Sequence, residues 1–315
     1  GFFAWEARHA DLFGPQETLA ELALLFPSQT RDCMPTKDGA AMAEFAVTPR
    51  NQLGGKDLVA CVNEWAGWAE VLTASNLPHD VVREEQLTTA GLARYRALVM
   101  PAALALSEAQ CRAVLDFVAR GGRLVTTGET GVMDETGAPR ADKALVEQMR
   151  AAGTRMEDNP GSASLLGFVV CDMPYGGPDD PGAPARVRKA AAEANDPAPW
   201  AVENAREGLV AGVFRRNDGA IVAHLLNATG TALDTGTTTP AEGTYKPVYP
   251  PVTGATLRLR PDVAATVDPG TAQWIPYPGH DRVAVKTIRT PDGALLVEIP
   301  RIDIYGVVRI GAAMK

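Results

Sequence analysis

The sequence has few of the features that would place it in a specialised class of protein. No run of about 18 apolar residues could span a membrane, and no basic start with an apolar segment marks a secretory signal. The 315 residues include only four cysteines, which lie far apart and have no spacing typical of metal ligands. The 30 Lys and Arg are outnumbered by 38 Asp and Glu, with no basic stripe for nucleic acid. We therefore expect a soluble, cytoplasmic protein with no metal, no membrane contact and no nucleic-acid partner.

The composition that remains is typical of an ordinary globular protein. Hydrophobic residues make up 46% of the chain and charged residues 22%. A chain of this length exceeds the usual size of one domain, so at least two are expected. We predict an N-terminal segment (1–55), an α/β domain (56–206) and an antiparallel β domain (207–315). Since the chain starts at Gly1 and not at methionine, we expect it to be processed or to be part of a longer protein.

One strand–helix–strand unit, within residues 91–131, organises the prediction. The apolar run Ala97–Met100 is typical of a strand that is buried on both faces of a parallel sheet. Ser107, with Gln110 three residues later, predicts a capped helix that ends at Gly121-Gly122. Arg123–Thr127 is predicted to return as a second strand, parallel to the first.

The flanking segments extend this α/β pattern on both sides. Additional strands are predicted at Gly1–Trp5, Leu58–Val62, His79–Val82 and Leu165–Val170. Additional helices are predicted at Pro15–Phe26, Thr88–Tyr95, Ala141–Ala152 and Ala185–Ala194.

The pattern changes to period two near residue 208, which predicts a small antiparallel β sandwich. Turn residues Asn217-Asp218-Gly219 and Pro291-Asp292-Gly293 separate neighbouring strands. The predicted strands are Leu209–Phe214, Ala220–Leu226, Thr256–Arg260, Val283–Ile288, Leu295–Ile299 and Ile304–Ile310.

The segment YRALVMPAALALSEAQCRAVLDFVARGGRLVTTGETG resembles part of a known family. It is similar to the middle, trimerisation domain of family 42 β-galactosidases, which has a class I glutamine-amidotransferase-like fold. Two later segments, AIVAHLLNATG and VEIPRIDIYGVVRI, resemble the C-terminal β domain of the same enzymes. The resemblance implies a homo-oligomer, with a trimer favoured, and a carbohydrate as ligand.

The N-terminal sequence GFFAWEARHADLFGPQETLAEL resembles the last strand and helix of the catalytic (β/α)8 barrel of that family. An N-terminal extension that packs on the α/β domain is an equally good interpretation. Both catalytic glutamates of the family lie upstream of this point, so the resemblance carries no catalytic residue onto this chain.

The amidotransferase-like resemblance places the nucleophile elbow at residues 126–131. The sequence there is TTGETG, which has neither cysteine nor serine, and no histidine is near in sequence. Thr127 or Thr130 could act as a nucleophile only with a positioned base, and bonding to backbone groups in a turn is the better interpretation of both. No Walker or Rossmann glycine pattern is present, so no cofactor is expected.

Two groups of residues are candidates for ligand binding. Near the N-terminus an aromatic platform with charged neighbours could grip a sugar, although a solvated strand end is the simpler interpretation: Trp5, Glu6, Arg8 and His9. At the predicted carboxyl ends of the parallel strands, where α/β proteins bind ligands, a second group would gather: Asn63, Glu64, Thr127 and Glu129.

The leading hypothesis is a non-catalytic accessory and trimerisation region of a β-galactosidase-like glycoside hydrolase. The alternatives are a free-standing hydrolase that uses the second group and a carbohydrate-binding protein. The sugar and the full-length context are not determined by the sequence.

Overall fold

The computed structural model describes residues 1–33, 56–127, 130–156, 183–206, 208–228, 250–279 and 281–313. The chain forms two compact units. The β unit consists of Gly1–Ala20, Thr73–Pro78 and Pro197–Lys315, and the α/β unit consists of Glu21–Leu72 and His79–Asp196. The α/β unit therefore begins at Glu21, whereas the sequence prediction began this domain at residue 56.

The α/β unit is built on a five-stranded parallel sheet in the order β3-β2-β4-β5-β6. The strands are β2 (Leu22–Leu25), β3 (Asp80–Val82), β4 (Ala97–Met100), β5 (Arg123–Thr127) and β6 (Thr154–Met156). Every residue of β2 and β4 is buried, as expected of strands that are covered on both faces. The predicted parallel arrangement of Ala97–Met100 and Arg123–Thr127 is confirmed, and Leu98 lies opposite Leu124.

The helices of this unit are α2 (Ser28–Cys33), α3 (Lys56–Ala74), α4 (Glu108–Ala119), α5 (Lys143–Ala152) and α6 (Ala183–Ala194). The predicted capping box of α4 is confirmed: Ser107 Oγ accepts from Gln110 N at 3.2 Å, and Gln110 Oε1 accepts from Ser107 N at 2.6 Å. The helix stops before Gly121, whose φ of 91° is the left-handed conformation that glycine tolerates best.

Three predicted elements in this region are wrong. Pro15–Phe26 was predicted as a helix but contains β1 (Gln16–Thr18) and β2, because Leu22–Leu25 is a continuous apolar run that fits a buried strand equally well. Leu58–Val62 was predicted as a strand but lies inside the 19-residue helix α3. Thr88–Tyr95 forms turns instead of a helix. The predicted strand Leu165–Val170 lies outside the described residues.

The β unit consists of antiparallel sheets. A six-stranded sheet has the order β1-β8-β9-β17-β12-β13, a four-stranded sheet the order β14-β15-β11-β7, and β10 pairs with β16. The bounds are β7 (Trp200–Glu203), β8 (Leu209–Arg216), β9 (Ile221–Asn227), β10 (Val252–Thr253), β11 (Thr256–Leu259), β12 (Gln273–Tyr277), β13 (Val283–Ala284), β14 (Thr287–Arg289), β15 (Leu295–Glu298), β16 (Arg301–Ile302) and β17 (Tyr305–Ile310). A short helix, α7 (Pro261–Ala264), follows β11.

The two larger sheets share one hydrophobic core, which makes this unit a sandwich. Leu209 and Ile221 of the six-stranded sheet lie in the same buried cluster as Leu257 and Leu295 of the four-stranded sheet. The predicted turn at Asn217-Asp218-Gly219 is confirmed, since Gly219 has a φ of 81° and Asp218 Oδ1 accepts from Ala220 N at 3.0 Å.

A helix covers the other face of the six-stranded sheet. Residues Phe2–Arg8 form α1, so the predicted strand Gly1–Trp5 is wrong. The helix is held by a second apolar cluster of Trp5 and Leu12 with Val222, Ile275 and Val307. A helix at this position lets Trp5 pack on the sheet together with Leu12, which lies in the short 3-10 helix Ala10–Leu12 that follows α1.

Candidate functional site

The centre of the candidate site is the pair of Glu64 and Thr127, which the sequence analysis had placed together. Glu64 lies on α3 and Thr127 is the last residue of β5, and neither side chain is exposed. Thr127 Oγ1 donates a hydrogen bond to Glu64 Oε1. The same hydroxyl accepts from Ala102 N at 3.0 Å, in the turn after β4. The single proton of Thr127 is therefore engaged, and its oxygen is bound to the backbone.

The environment of Glu64 favours its neutral form. Burial raises the pKa of this carboxyl group from 4.5 to about 7, because the charged form loses its hydration. Glu64 Oε2 is buried without a hydrogen-bond partner, whereas Oε1 accepts from Thr127. A carboxyl group with a pKa near neutrality beside a hydroxyl can in principle exchange protons with it.

The turn beside Thr127 has an unusual backbone. Ala102 has a φ of 44°, a backbone conformation that residues other than glycine seldom adopt. The bond from Ala102 N to Thr127 holds this conformation, and Gly131 N donates to Ala103 O at 2.9 Å. Thr127 thus joins the carboxyl ends of β4 and β5, at the edge of the sheet where α/β proteins bind ligands.

Two buried charged residues near this edge were missed by the sequence analysis. Arg140 is 6% exposed and donates from Nε to Gly131 O at 2.8 Å and from Nη2 to Met133 O at 3.0 Å. Glu84 is 1% exposed and accepts from Ser28 Oγ at 2.5 Å and from Gln29 N at 2.8 Å, at the start of α2. Neither residue belongs to a recognisable sequence motif. Their roles in holding the backbone are visible only from the hydrogen bonds that they make in the fold.

The structure does not assign a contact at this site to Asn63 or Glu129, the other two residues predicted with Glu64 and Thr127. Asn63 lies within α3, and Glu129 lies outside the described residues. Thr130 is buried, and its hydroxyl lies 3.5 Å from Thr127 O, as expected for a group that bonds to the backbone of a turn.

The N-terminal candidate group forms part of a packed aromatic layer. Trp5 is only 1% exposed, and its Nε1 donates to Pro276 O at 3.0 Å. Its indole meets Tyr277 and Tyr305 edge to face. His9 is 5% exposed, with Nδ1 2.8 Å from Trp5 O. An indole that is buried in this way does not offer a stacking surface, so the predicted sugar platform is wrong for Trp5.

Glu6 and Arg8 belong to the same helix but remain more accessible than Trp5. Glu6 is half-buried and Arg8 is exposed, and the charge of Glu6 acts on Tyr305. Their role in ligand binding stays a prediction.

The described residues contain neither a metal-type cluster nor a membrane-type helix. No group of three or more His, Cys, Asp or Glu side chains among them could hold a metal ion. No helix in the described ranges is long and apolar enough to cross a membrane.

Comparison with known proteins agrees with this architecture. Residues 20–158 match the family model of the β-galactosidase trimerisation domain, a range that includes every strand of the parallel sheet. No curated protein is significantly similar to the chain in sequence.

Two solved structures resemble nearly the whole chain. The α-L-fucosidase isoenzyme 2 from Paenibacillus thiaminolyticus is 13% identical, with a TM-score of 0.57 over 99% of this chain and 51% of that chain. A β-galactosidase from Bacillus circulans sp. alkalophilus is 11% identical, with a TM-score of 0.51 over 98% of this chain and 44% of that chain. The chain therefore spans about half the length of these structures.

The parallel sheet with its flanking helices and the antiparallel sheets define a two-part architecture, with an amidotransferase-like α/β unit and a β sandwich. A similar fold occurs in the α-L-fucosidase and the β-galactosidase named above. Within this architecture, residues 20–158 match the β-galactosidase trimerisation domain.

Proposed function

We propose that this chain is the non-catalytic accessory and trimerisation region of a β-galactosidase-like glycoside hydrolase. The observation that carries the proposal is the match of residues 20–158 to the trimerisation domain, since this range encloses the complete described sheet from β2 to β6. A homotrimer and a carbohydrate substrate for the whole enzyme belong to the same proposal. The cytoplasmic location stays a prediction.

The state of the elbow supports a non-catalytic role. Amidotransferase chemistry needs an accessible nucleophile with a positioned base, and Thr127 is fully buried with its hydroxyl engaged on both sides. Because Thr127 has no exposed surface, its hydroxyl cannot reach a substrate in this conformation. Thr127 and Glu64 instead fix the backbone between β4, β5 and α3.

The raised pKa of Glu64, beside Thr127, favours a second candidate function, that of a hydrolase. A carboxyl group with a pKa of about 7 is suited to act as a general acid or base near neutral pH. Glu64 and Thr127 would be the site of this alternative, a free-standing hydrolase.

The assembly is tested by light scattering or sedimentation at micromolar concentration. We expect a species of three times the 33.3 kDa chain mass. A species of 33.3 kDa alone would contradict the trimer.

Catalysis is tested separately, with nitrophenyl galactosides, fucosides and arabinosides and with glutamine. We expect no turnover by the chain alone. Turnover that survives repurification and is lost in Glu64→Gln, but is kept in the exposed control Glu108→Gln, would replace the proposal with the free-standing hydrolase. Loss in Glu6→Gln or Glu129→Gln would place the activity at those residues instead.

A further inference from the structure

A group of buried polar atoms lies on the face of the six-stranded sheet that α1 covers. In the part of the chain that the structure describes, four side chains of this sheet have buried nitrogen or oxygen atoms without a hydrogen-bond partner, and we call them the sheet polar cluster: Gln16, Arg216, His224 and Arg309. Gln16 lies directly opposite Arg216 in the β1–β8 register. Buried polar atoms are normally hydrogen-bonded, so a concentration of unpaired ones on one face needs an explanation.

The imidazole of His224 presents a donor to this face. Tyr305 bonds to His224 Nδ1 through its hydroxyl. Burial and the charge of Glu6 raise the pKa of Tyr305, so the hydroxyl keeps its proton. The contact fits either ring tautomer, and we take the one in which this hydroxyl donates to Nδ1. Burial and the charge of Arg216 lower the pKa of His224 to about 4, so the ring is neutral. Its one proton then sits on Nε2, which is buried without a partner.

Arg216 contributes two more unpaired donors. Its side chain is 14% exposed, and both Nε and Nη1 lack a hydrogen-bond partner. The carboxylate of Asp218 is near, but its Oδ1 is 4.0 Å from Arg216 Nε, which is too long for a hydrogen bond. Asp218 Oδ2 instead accepts from Arg309 Nη2 at 3.1 Å. One carboxylate therefore faces two guanidinium groups.

The neighbouring charges offset this excess only in part, since the charge of Asp11 acts on Arg309 as well as on Arg282. Asp11 is bound by Arg282, with its two oxygens 2.7 and 2.8 Å from Nη2. Phe13 and Phe214 flank the imidazole of His224, with ring centroids at 5.4 and 5.7 Å. Aromatic walls reduce access of water and strengthen the attraction of an unpaired cation for an anion.

We propose that Arg216 and His224 bind a small oxyanion, such as a carboxylate, sulfate or phosphate group, on the α1-facing side of the six-stranded sheet. The oxygens of such a group would accept from the unpaired Arg216 and His224 donors and neutralise the excess guanidinium charge. This site is separate from the Glu64–Thr127 pair, and it does not depend on the proposed function. The competing interpretation is that Gln16 Oε1 turns to accept from Arg216, which would satisfy both groups internally.

The first test compares the unfolding midpoint in acetate, phosphate and sulfate with that in chloride at equal ionic strength. Sulfate and phosphate stabilise proteins generally, so the readout is the difference between two variants. Arg216→Gln removes the proposed ligand, and Arg301→Gln is the control, since Arg301 is exposed and pairs with Asp303 in the same unit. We expect saturable stabilisation in the wild type and the control, with an apparent affinity at least about tenfold weaker in Arg216→Gln. Equal responses in all three proteins would overturn the proposal.

The second test needs no variant of Arg216. The imidazole signals of the wild-type chain are followed by NMR, and His224 is assigned by its loss in His224→Gln. Bound anion should move the His224 signal and raise its pKa by about one unit or more, because a negative charge favours the imidazolium. Galactose, which is neutral, should have no effect. A His224 signal that no anion moves would support the internal Gln16 pairing and refute the site.

Discussion

The buried carboxyl group of Glu64 predicts a specific pH dependence of stability. Its pKa is about 7 in the folded chain and 4.5 when it is solvated, because burial disfavours the charge. The folded state therefore binds a proton that the unfolded state releases between these two values. The stabilisation is fully present below about pH 4.5 and is lost as the pH rises towards about 7.

The size of the effect follows from the gap between the two pKa values. Each pKa unit is worth about 1.4 kcal/mol, so the rise from 4.5 to about 7 corresponds to about 3 kcal/mol of unfolding free energy. No reduction for solvent screening is needed, since the side chain has no exposed surface. Glu64→Gln keeps the shape and the acceptor for Thr127 but cannot ionise. Relative to the wild type it should gain about 3 kcal/mol between about pH 4.5 and pH 8.

The assay is urea denaturation of the whole chain across this pH range. Glu70, also on α3, titrates in the same window, since burial raises its pKa to about 7 as well. Glu70→Gln and the double variant separate the two contributions, and Glu108→Gln is the control, because Glu108 is exposed on α4.

Two outcomes would refute the reasoning. If Glu64→Gln and the wild type lost stability in parallel from acid to neutral pH, Glu64 would not be a buried neutral acid. If Glu64→Gln were equally destabilised at every pH, the side chain would be held as a carboxylate by partners other than Thr127.

Three more predictions concern packing and capping. Ser107→Ala removes the side-chain acceptor of Gln110 N and should cost about 1 kcal/mol of unfolding free energy, whereas Ser107→Asp should cost less. Trp5→Ala empties a site that is 1% exposed and should cost about 3–5 kcal/mol, with loss of near-ultraviolet circular dichroism from the aromatic layer. Gly122→Ala would place a Cβ 2.4 Å from the Phe117 ring and should lower the urea midpoint, while Gly121→Ala meets no neighbour within 4 Å and pays only for its positive φ. Unchanged midpoints in Ser107→Ala, Trp5→Ala or Gly122→Ala would contradict the corresponding contact.

Elements with local signals were predictable from the sequence alone. The cap at Ser107, the glycine stop at Gly121 and the hairpin turn at Asn217–Gly219 depend on residues within a few positions of one another. The alternation of buried and more exposed residues in β11 and β15 also follows from local pattern, because burial on one face requires period two. The parallel pairing of β4 and β5 follows from the connection between them.

Whether a short apolar run forms a strand or a helix was decided by the tertiary structure. Leu22–Leu25 and Leu58–Val62 both read as apolar stretches, yet one is the second strand of the parallel sheet and the other is part of a helix. Periodicity over four or five residues does not separate these states, so the available partners decide. Leu22–Leu25 finds β3 on one side and β4 on the other.

The same distinction applies to the candidate sites. The sequence alone determined that residues 126–131 contain threonine in place of cysteine or serine. It placed Glu64 near Thr127 on the basis of a strand at Leu58–Val62, which is wrong because that segment and Glu64 both lie in α3. Only the fold brought Thr127 Oγ1 to Glu64 across 63 positions, and only burial raised the pKa of that carboxyl group. Likewise, the fold placed Trp5 in the core and brought His224 within the influence of the Arg216 charge, because burial and electrostatic effects between distant residues depend on packing that no local pattern encodes.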